Sequence, residues 1–189
     1  MGEDEQDRGI ERSSKVSFVT SNLYKLREAR DILGFDLEQS DVDLPEIQSL
    51  DVKDVCEDKA RRAYDILQKP VMVEDTGLYM DAWGGFPGAL IKWMEKHMGN
   101  AGICRALADE RRCTARTCVT LYDGRELRSF IGELKGTIAE KPQGCSNFGW
   151  DPIFIPEGHE KSFADIDNKN EISMRSRALA RMAEYFDNL

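Results

Sequence analysis

The sequence predicts an α/β fold, a long mixed β-sheet with flanking helices in a single domain. Three features carry that expectation. Short apolar runs that suit buried strands alternate with helical-period segments in the first half of the chain. Two alternating segments in the middle flank Asp123-Gly124, a pair that favours a hairpin turn. The 189 residues suffice for one core, and no repeat or linker divides them.

In order, residues 16–20 predict a buried strand. Residues 22–33 predict a helix, with Leu23, Leu26, Ala29, Ile32 and Leu33 on one stripe and Gly34 as its stop. Residues 35–44 predict a second strand, ended by Pro45. Residues 52–67 predict a helix whose Val55, Ala60, Ala63, Ile66 and Leu67 face the core. After Pro70, VMVE predicts a short strand ending at Asp75, with Thr76-Gly77 as a sharp turn. TGLYMDAWGGFPG, dense in glycine and aromatics, reads as loop. Residues 89–98 and 102–107 read as helical, and residues 113–122 and 125–134 as the hairpin. The loop QGCSNFGWDP leads into a strand IFIP. Residues 171–186 predict the last helix, with Leu179, Met182, Tyr185 and Phe186 at helical spacing.

Hydrophobic content of 41% and charged content of 32% suit a soluble globule, and no apolar run reaches membrane-span length. Residues 1–13 are acidic and polar, lack the pattern of a signal peptide, and read as a flexible tail. Residues 14–189 form the domain. A net charge of -9 argues against a general nucleic-acid or membrane binder but allows a small anion in a locally basic cleft. The 5 cysteines form no CxxC and the 2 histidines lie far apart, which disfavours structural zinc and suits reduced thiols in the cytoplasm.

Five segments carry chemistry. In VTSNLYK, a strand hands over to a helix, where free N–H groups and the positive dipole end can hold phosphate. Thr20, Ser21 and Asn22 can cap that end, and Lys25 can reach back to it; alone, the segment reads first as an ordinary capped helix with a solvated lysine. In LPEIQSLDVKDVCEDKA, Glu46 and Lys59 alone read as surface charge. In VMVEDTGLYMDAWGGFPG, the adjacent carboxylates Glu74 and Asp75 at a strand end could hold Mg²⁺ or accept a proton from water. In SNFGWDP, Phe148 and Trp150 flank Gly149 before Asp151; they could stack on a base or pack under the loop. In DNKNEISMRSRALARM, Lys169, Ser173, Met174 and Arg175 surround a helix start. An arginine there opposes the dipole, which points to a partner for Arg175.

Taken in order, T-S-N-x-x-K, L-P-E, E-D-T-G-L…G-G-F-P-G, F-G-W-D-P-I-F…S-F-A-D and K-N-x-x-S-x-R-x-x-A resemble the inosine triphosphate pyrophosphatase family over nearly the whole chain beyond the tail. The resemblance implies hydrolysis of ITP, dITP and XTP to the monophosphate and pyrophosphate. It implies Mg²⁺ as cofactor (Mn²⁺ substituting), a homodimer, and two lobes around a central cleft. By position it places Thr20, Ser21, Asn22, Lys25 and Lys59 on the triphosphate, and Glu46 and Asp75 on the metal. Asp75 would also activate water, with Glu74 and Thr76 beside it. Phe148, Gly149, Trp150 and Asp151 would hold the base, and Lys169, Ser173, Met174 and Arg175 would line the base and phosphate end.

One departure stands out: where the family's pattern has S-H-R, this chain has Ser173-Met174-Arg175, and methionine supplies neither the hydrogen bond nor the charge of an imidazole. Two alternatives are a Maf-type pyrophosphatase acting on pyrimidine or modified nucleotides, and a nucleotide-binding module without catalysis. The full set of motifs argues against the first, and intact Asp75, Glu46, Lys25 and Lys59 against the second.

Overall fold

Val16 and Phe18 are buried, and β1 (Ser17–Val19) runs parallel between β2 (Glu38–Ser40) and β3 (Val71–Met80). The structure, a computed structural model, describes residues 16–144 and 149–188; residues 1–13 and Phe148 lie outside them. From β3 the sheet turns antiparallel through β5 (Arg112–Tyr122), β6 (Leu127–Ile138) and β7 (Phe154–Pro156). The short β4 (Pro87–Gly88) pairs with the far end of β3. The described residues thus form a 7-stranded mixed sheet of order β2-β1-β3-β5-β6-β7, as the alternating elements and the hairpin predict.

Alternation along β3 sorts the core. Met72 joins Val119 and Leu121 under α1 (Leu23–Leu33) and α5 (Met174–Asp187), whereas Val71 and Val73 face α2 (Val52–Leu67). A third cluster sits at the other end of the hairpin, where α3 (Ile91–Ala106) packs with Leu78, Met80, Leu134 and Phe154.

The structure corrects several boundaries. β2 has only 3 residues, because β1 ends opposite Ser40 and leaves nothing to pair with residues 41–44. β3 runs straight through Thr76-Gly77. β5 pairs with it from Val71↔Tyr122 to Met80↔Cys113, and that ladder overrides the local turn signal. Helices 89–98 and 102–107 form one element, broken at Gly99 (φ 65, ψ 165). The last helix is also broken: α4 (Lys169–Ile172) stops at Ser173 (φ -62, ψ 156), whose hydroxyl caps α5 by accepting from the Ser176 N–H at 3.1 Å. Finally, α5 lies directly on β6 at Gly132, where a Cβ would stand 1.9 Å from the Met174 carbonyl oxygen. Only glycine permits that approach, which carries Arg175 to the middle of the sheet.

Candidate active site

β1 covers only the first two residues of β3, in the register Ser17↔Val71 and Phe18↔Met72. Beyond that point Glu74, Asp75 and Thr76 have β5 on one side and, among the described residues, no strand on the other. The sequence reading placed the two carboxylates at a strand end; they stand instead where the parallel half of the sheet stops, which opens the same kind of crevice. A groove of ≈ 1520 Å³ lies there. Thr20, Ser21, Asn22, Lys25, Glu46, Lys59, Asp75 and Thr76 all line it.

Each side chain is aimed by its element. Asn22 caps α1, its Oδ1 accepting from the N–H groups of Tyr24 at 2.9 Å and Lys25 at 3.3 Å, while its own N–H donates to Thr20 Oγ1 at 3.1 Å. Lys25, in the first turn, reaches Glu74 Oε1 at 2.9 Å. Lys59 projects from α2 between two carboxylates, 3.0 Å from Glu46 and 3.6 Å from Asp75. Burial alone would lower the Lys59 pKa, but Asp75 and Glu46 outweigh it and raise it, so the lysine stays charged. Thr76 Oγ1 shares a 2.9 Å hydrogen bond with Thr117 Oγ1.

The two adjacent carboxylates are tuned in opposite directions. Burial pushes Glu74 up, but Arg175 and Lys25 overcome it and hold Glu74 down at about 2. Burial raises Asp75 to about 6, with Lys59 opposing and Glu46 adding repulsion. Asp75 Oδ2 is buried and has no hydrogen-bond partner. Two carboxylates bracketing one lysine, one of them with an orphaned oxygen, suit a hard divalent cation. Among the described residues no three His, Cys, Asp or Glu side chains converge as a ready-made metal site.

The other predicted residues that the structure describes do not line this groove. Arg175 is nearly buried, and three of its N–H groups are taken: Nε and Nη2 donate to Glu74 at 2.8 and 3.0 Å, and Nη1 donates to Glu28 at 3.1 Å. The awkward place of an arginine in the first turn of α5 therefore has its partner. Trp150, read as a possible stacking aromatic, is buried, edge-on to Phe154 at 5.5 Å. Asp151 is buried and paired with Lys169. Ser173 caps α5. Met174 is buried in the cluster that holds Leu134 and Ile153. Its side chain is core, so Met174→His should lower stability by about 1–3 kcal/mol, by burying an imidazole among apolar groups, and leave nucleotide preference unchanged. Urea unfolding and a substrate panel check both.

Sequence reasoning missed Glu28. It lies three residues after Lys25 on α1, is half-buried with Oε1 buried and unpartnered, and is raised by burial against the pull of Arg175. The i, i+3 spacing from Lys25 was its only signal. It missed also that Gly88 holds the loop carrying Glu46. Gly88 has φ +55, a Cβ there would lie 2.2 Å from Leu50 O, and the Ala89 N–H donates to that oxygen at 2.9 Å. Gly88→Ala should cost about 1–3 kcal/mol in strain. By shifting residues 41–51 it should also cut turnover about 100-fold; thermal unfolding and product release measure the two effects.

The chain matches known proteins over nearly the full described length. A model of the Ham1 family matches residues 16–185. A dITP/XTP pyrophosphatase of Methanopyrus kandleri is 41% identical over 183 residues, covering 92% of this chain and 97% of that one. Inosine triphosphate pyrophosphatase 1 of Trypanosoma cruzi is 42% identical over 181 residues, covering 91% of this chain and 92% of its own. The solved structure of a HAM1 protein from Coxiella burnetii superimposes with a TM-score of 0.78 at 24% identity, covering 93% of this chain and 100% of that one. A groove where the parallel sheet stops, with Lys25, Lys59, Glu46 and Asp75 in its wall, and sequence identity at this level over nine-tenths of the chain lead to one assignment: this chain belongs to the Ham1 family.

Proposed function

We propose that the protein hydrolyses non-canonical purine nucleoside triphosphates (ITP, dITP and XTP) to the monophosphate and pyrophosphate, and so clears them from the cytoplasmic nucleotide pool. The observation that carries this reading is the Lys25–Glu74 and Lys59–Asp75–Glu46 arrangement along one groove. The names of the matched relatives agree with it. Lys25 and Lys59 offset the charge that builds on the leaving pyrophosphate. Asp75, at about 6, is ionised at pH 7 yet basic enough to orient and deprotonate the attacking water. Glu46 and Asp75 Oδ2 would hold Mg²⁺ (or Mn²⁺), which supplies charge neutralisation at the phosphate oxygens when bound. Glu74, 2.9 Å from Lys25, holds it in place.

Residues 149–151, with Lys169 and Arg175, form the base end of this reading. Arg175 has five N–H donors and three are engaged, so two remain for a 6-oxo group. A donor there rewards the O6 of hypoxanthine or xanthine and meets another donor in ATP. The active species is a homodimer, and sedimentation equilibrium tests the state.

The decisive assay is Mg²⁺-dependent pyrophosphate release from ITP, XTP, dITP, GTP, ATP and TTP. ITP and XTP should lead. Comparable rates on ATP and ITP, or release of orthophosphate, would overturn the reading.

A further inference from the structure

α3 touches both ends of this arrangement. Near its start Lys92 lies 3.8 Å from Glu46, beside the metal-binding carboxylates. Past its break at Gly99, it presents Asn100 to the 149–151 turn: Asn100 Nδ2 donates to the Gly149 carbonyl at 2.9 Å. Gly149 is itself left-handed (φ 53), the second such position in this contact. From there the chain passes to Trp150, whose ring is fixed against Phe154, and to Asp151, paired with Lys169.

The Asn100 amide has only one workable orientation. The Gly149 carbonyl accepts and cannot donate, so the NH₂ group must face it. Asn100 Oδ1 is left buried with no hydrogen-bond partner. A surface asparagine placed by chance would turn to satisfy both ends in water. This one gives up its acceptor to keep a single bond to a loop backbone. Because the peptide is planar and trans, fixing the Gly149 carbonyl also fixes the Trp150 N–H, which belongs to the same peptide and points the opposite way.

We propose that Asn100 is a positioning residue for base selection: by holding the Gly149 carbonyl it sets the peptide plane of Gly149–Trp150 and the placement of Asp151, and with them the discrimination of 6-oxo purines from adenine. The inference rests on residues 149–151 being the base end of the site. Asn100 stands away from the lysines and carboxylates that act on the triphosphate, so its loss touches recognition rather than hydrolysis. Asn100→Asp keeps the shape and replaces the donor by a charge that repels the carbonyl. Asn100→Ala removes it altogether.

The test compares the full-length wild type, N100D and N100A with Mg²⁺ on ITP and ATP, and uses inorganic pyrophosphate as an inhibitor that probes the phosphate end without a base. The variants should raise KM for ITP and lower the ITP-to-ATP ratio of kcat/KM by about tenfold. Their kcat for ITP should stay within about twofold, and inhibition by pyrophosphate should not change. If one variant fails to fold, the other carries the test. A discriminating wild type with equally discriminating variants overturns this inference alone. So do variants in which ITP and pyrophosphate weaken together, the mark of a merely structural role. A wild type that turns over ATP as fast as ITP overturns the function and this inference with it.

Discussion

Asp75→Asn should abolish turnover and, in the metal-free protein, raise stability at pH 8. The two effects have one cause. Asp75 sits in the middle of a ten-residue strand, largely buried, with Oδ2 unpartnered and Glu46 nearby. Burial raises its pKa from 3.8 to about 6, more than Lys59 can offset. An acid raised on folding keeps its proton in the folded state between those values while the unfolded chain has lost it. It therefore costs nothing below pH 3.8; the cost grows as pH rises from 3.8 and is complete above about 6, where the ionised carboxylate costs up to about 3 kcal/mol. Asparagine removes the charge and the cost. Urea unfolding in EDTA should show the variant's advantage absent near pH 4 and largest near pH 8. Added Mg²⁺ should then stabilise the wild type more than the variant, since a cation supplies the partner that Oδ2 lacks. A variant no more stable than wild type at pH 8 would mean that the carboxylate is not strained by its surroundings.

Element types were legible in the sequence wherever one periodicity dominated. The stripe of α2, the apolar start of β3 and the Asp123-Gly124 hairpin all followed from local pattern. Asp123 Oδ1 even accepts from the N–H groups of Arg125 and Glu126, at 2.8 and 2.7 Å, as such a turn requires. What failed was set by distant partners. Thr76-Gly77 carries a turn signal, and only the eleven-residue β5 opposite makes it a strand. Residues 35–44 carry strand-like character, and only the end of β1 limits the strand to three residues. Thr20, Ser21, Asn22 and Lys25 were legible because they sit at the start of α1, where a short motif reports them. Glu28 and Asn100 lie inside helical segments whose spacing announces nothing but a face; their roles depend on what the fold brings opposite. Met174 shows the converse. Its place in a motif gave it a role in recognition, whereas its packing against the hairpin makes it core.

Arg175→Ala should be the most destabilising substitution in the site, by about 3–5 kcal/mol. Glu74 is 2% and Glu28 11% exposed at the side chain, and Arg175 bridges them. Its fork matches both oxygens of Glu74, a geometry that lysine cannot reproduce, so Arg175→Lys should recover little. Removal leaves two carboxylates buried, with Lys25 the only cation still on Glu74. Glu74 is held at about 2 against an ordinary 4.5, so its stabilising contribution is complete above pH 4.5 and is lost as pH falls through about 2. Without Arg175 that contribution disappears. The wild type's lead over R175A should be full at pH 7 and should shrink as the medium is acidified, because protonation relieves the orphaned carboxyls. Equilibrium unfolding from pH 7 to pH 3 measures it; a gap independent of pH would show that the arginine matters for packing rather than charge. Glu74→Leu combined with Arg175→Met should restore much of the lost stability and none of the activity, since Lys25 would then have no carboxylate to hold it. In R175A itself both carboxylates remain, and Glu74 keeps Lys25 as its partner. It should bind the lysine more tightly than a triphosphate can compete for, raising KM even in the fraction that folds.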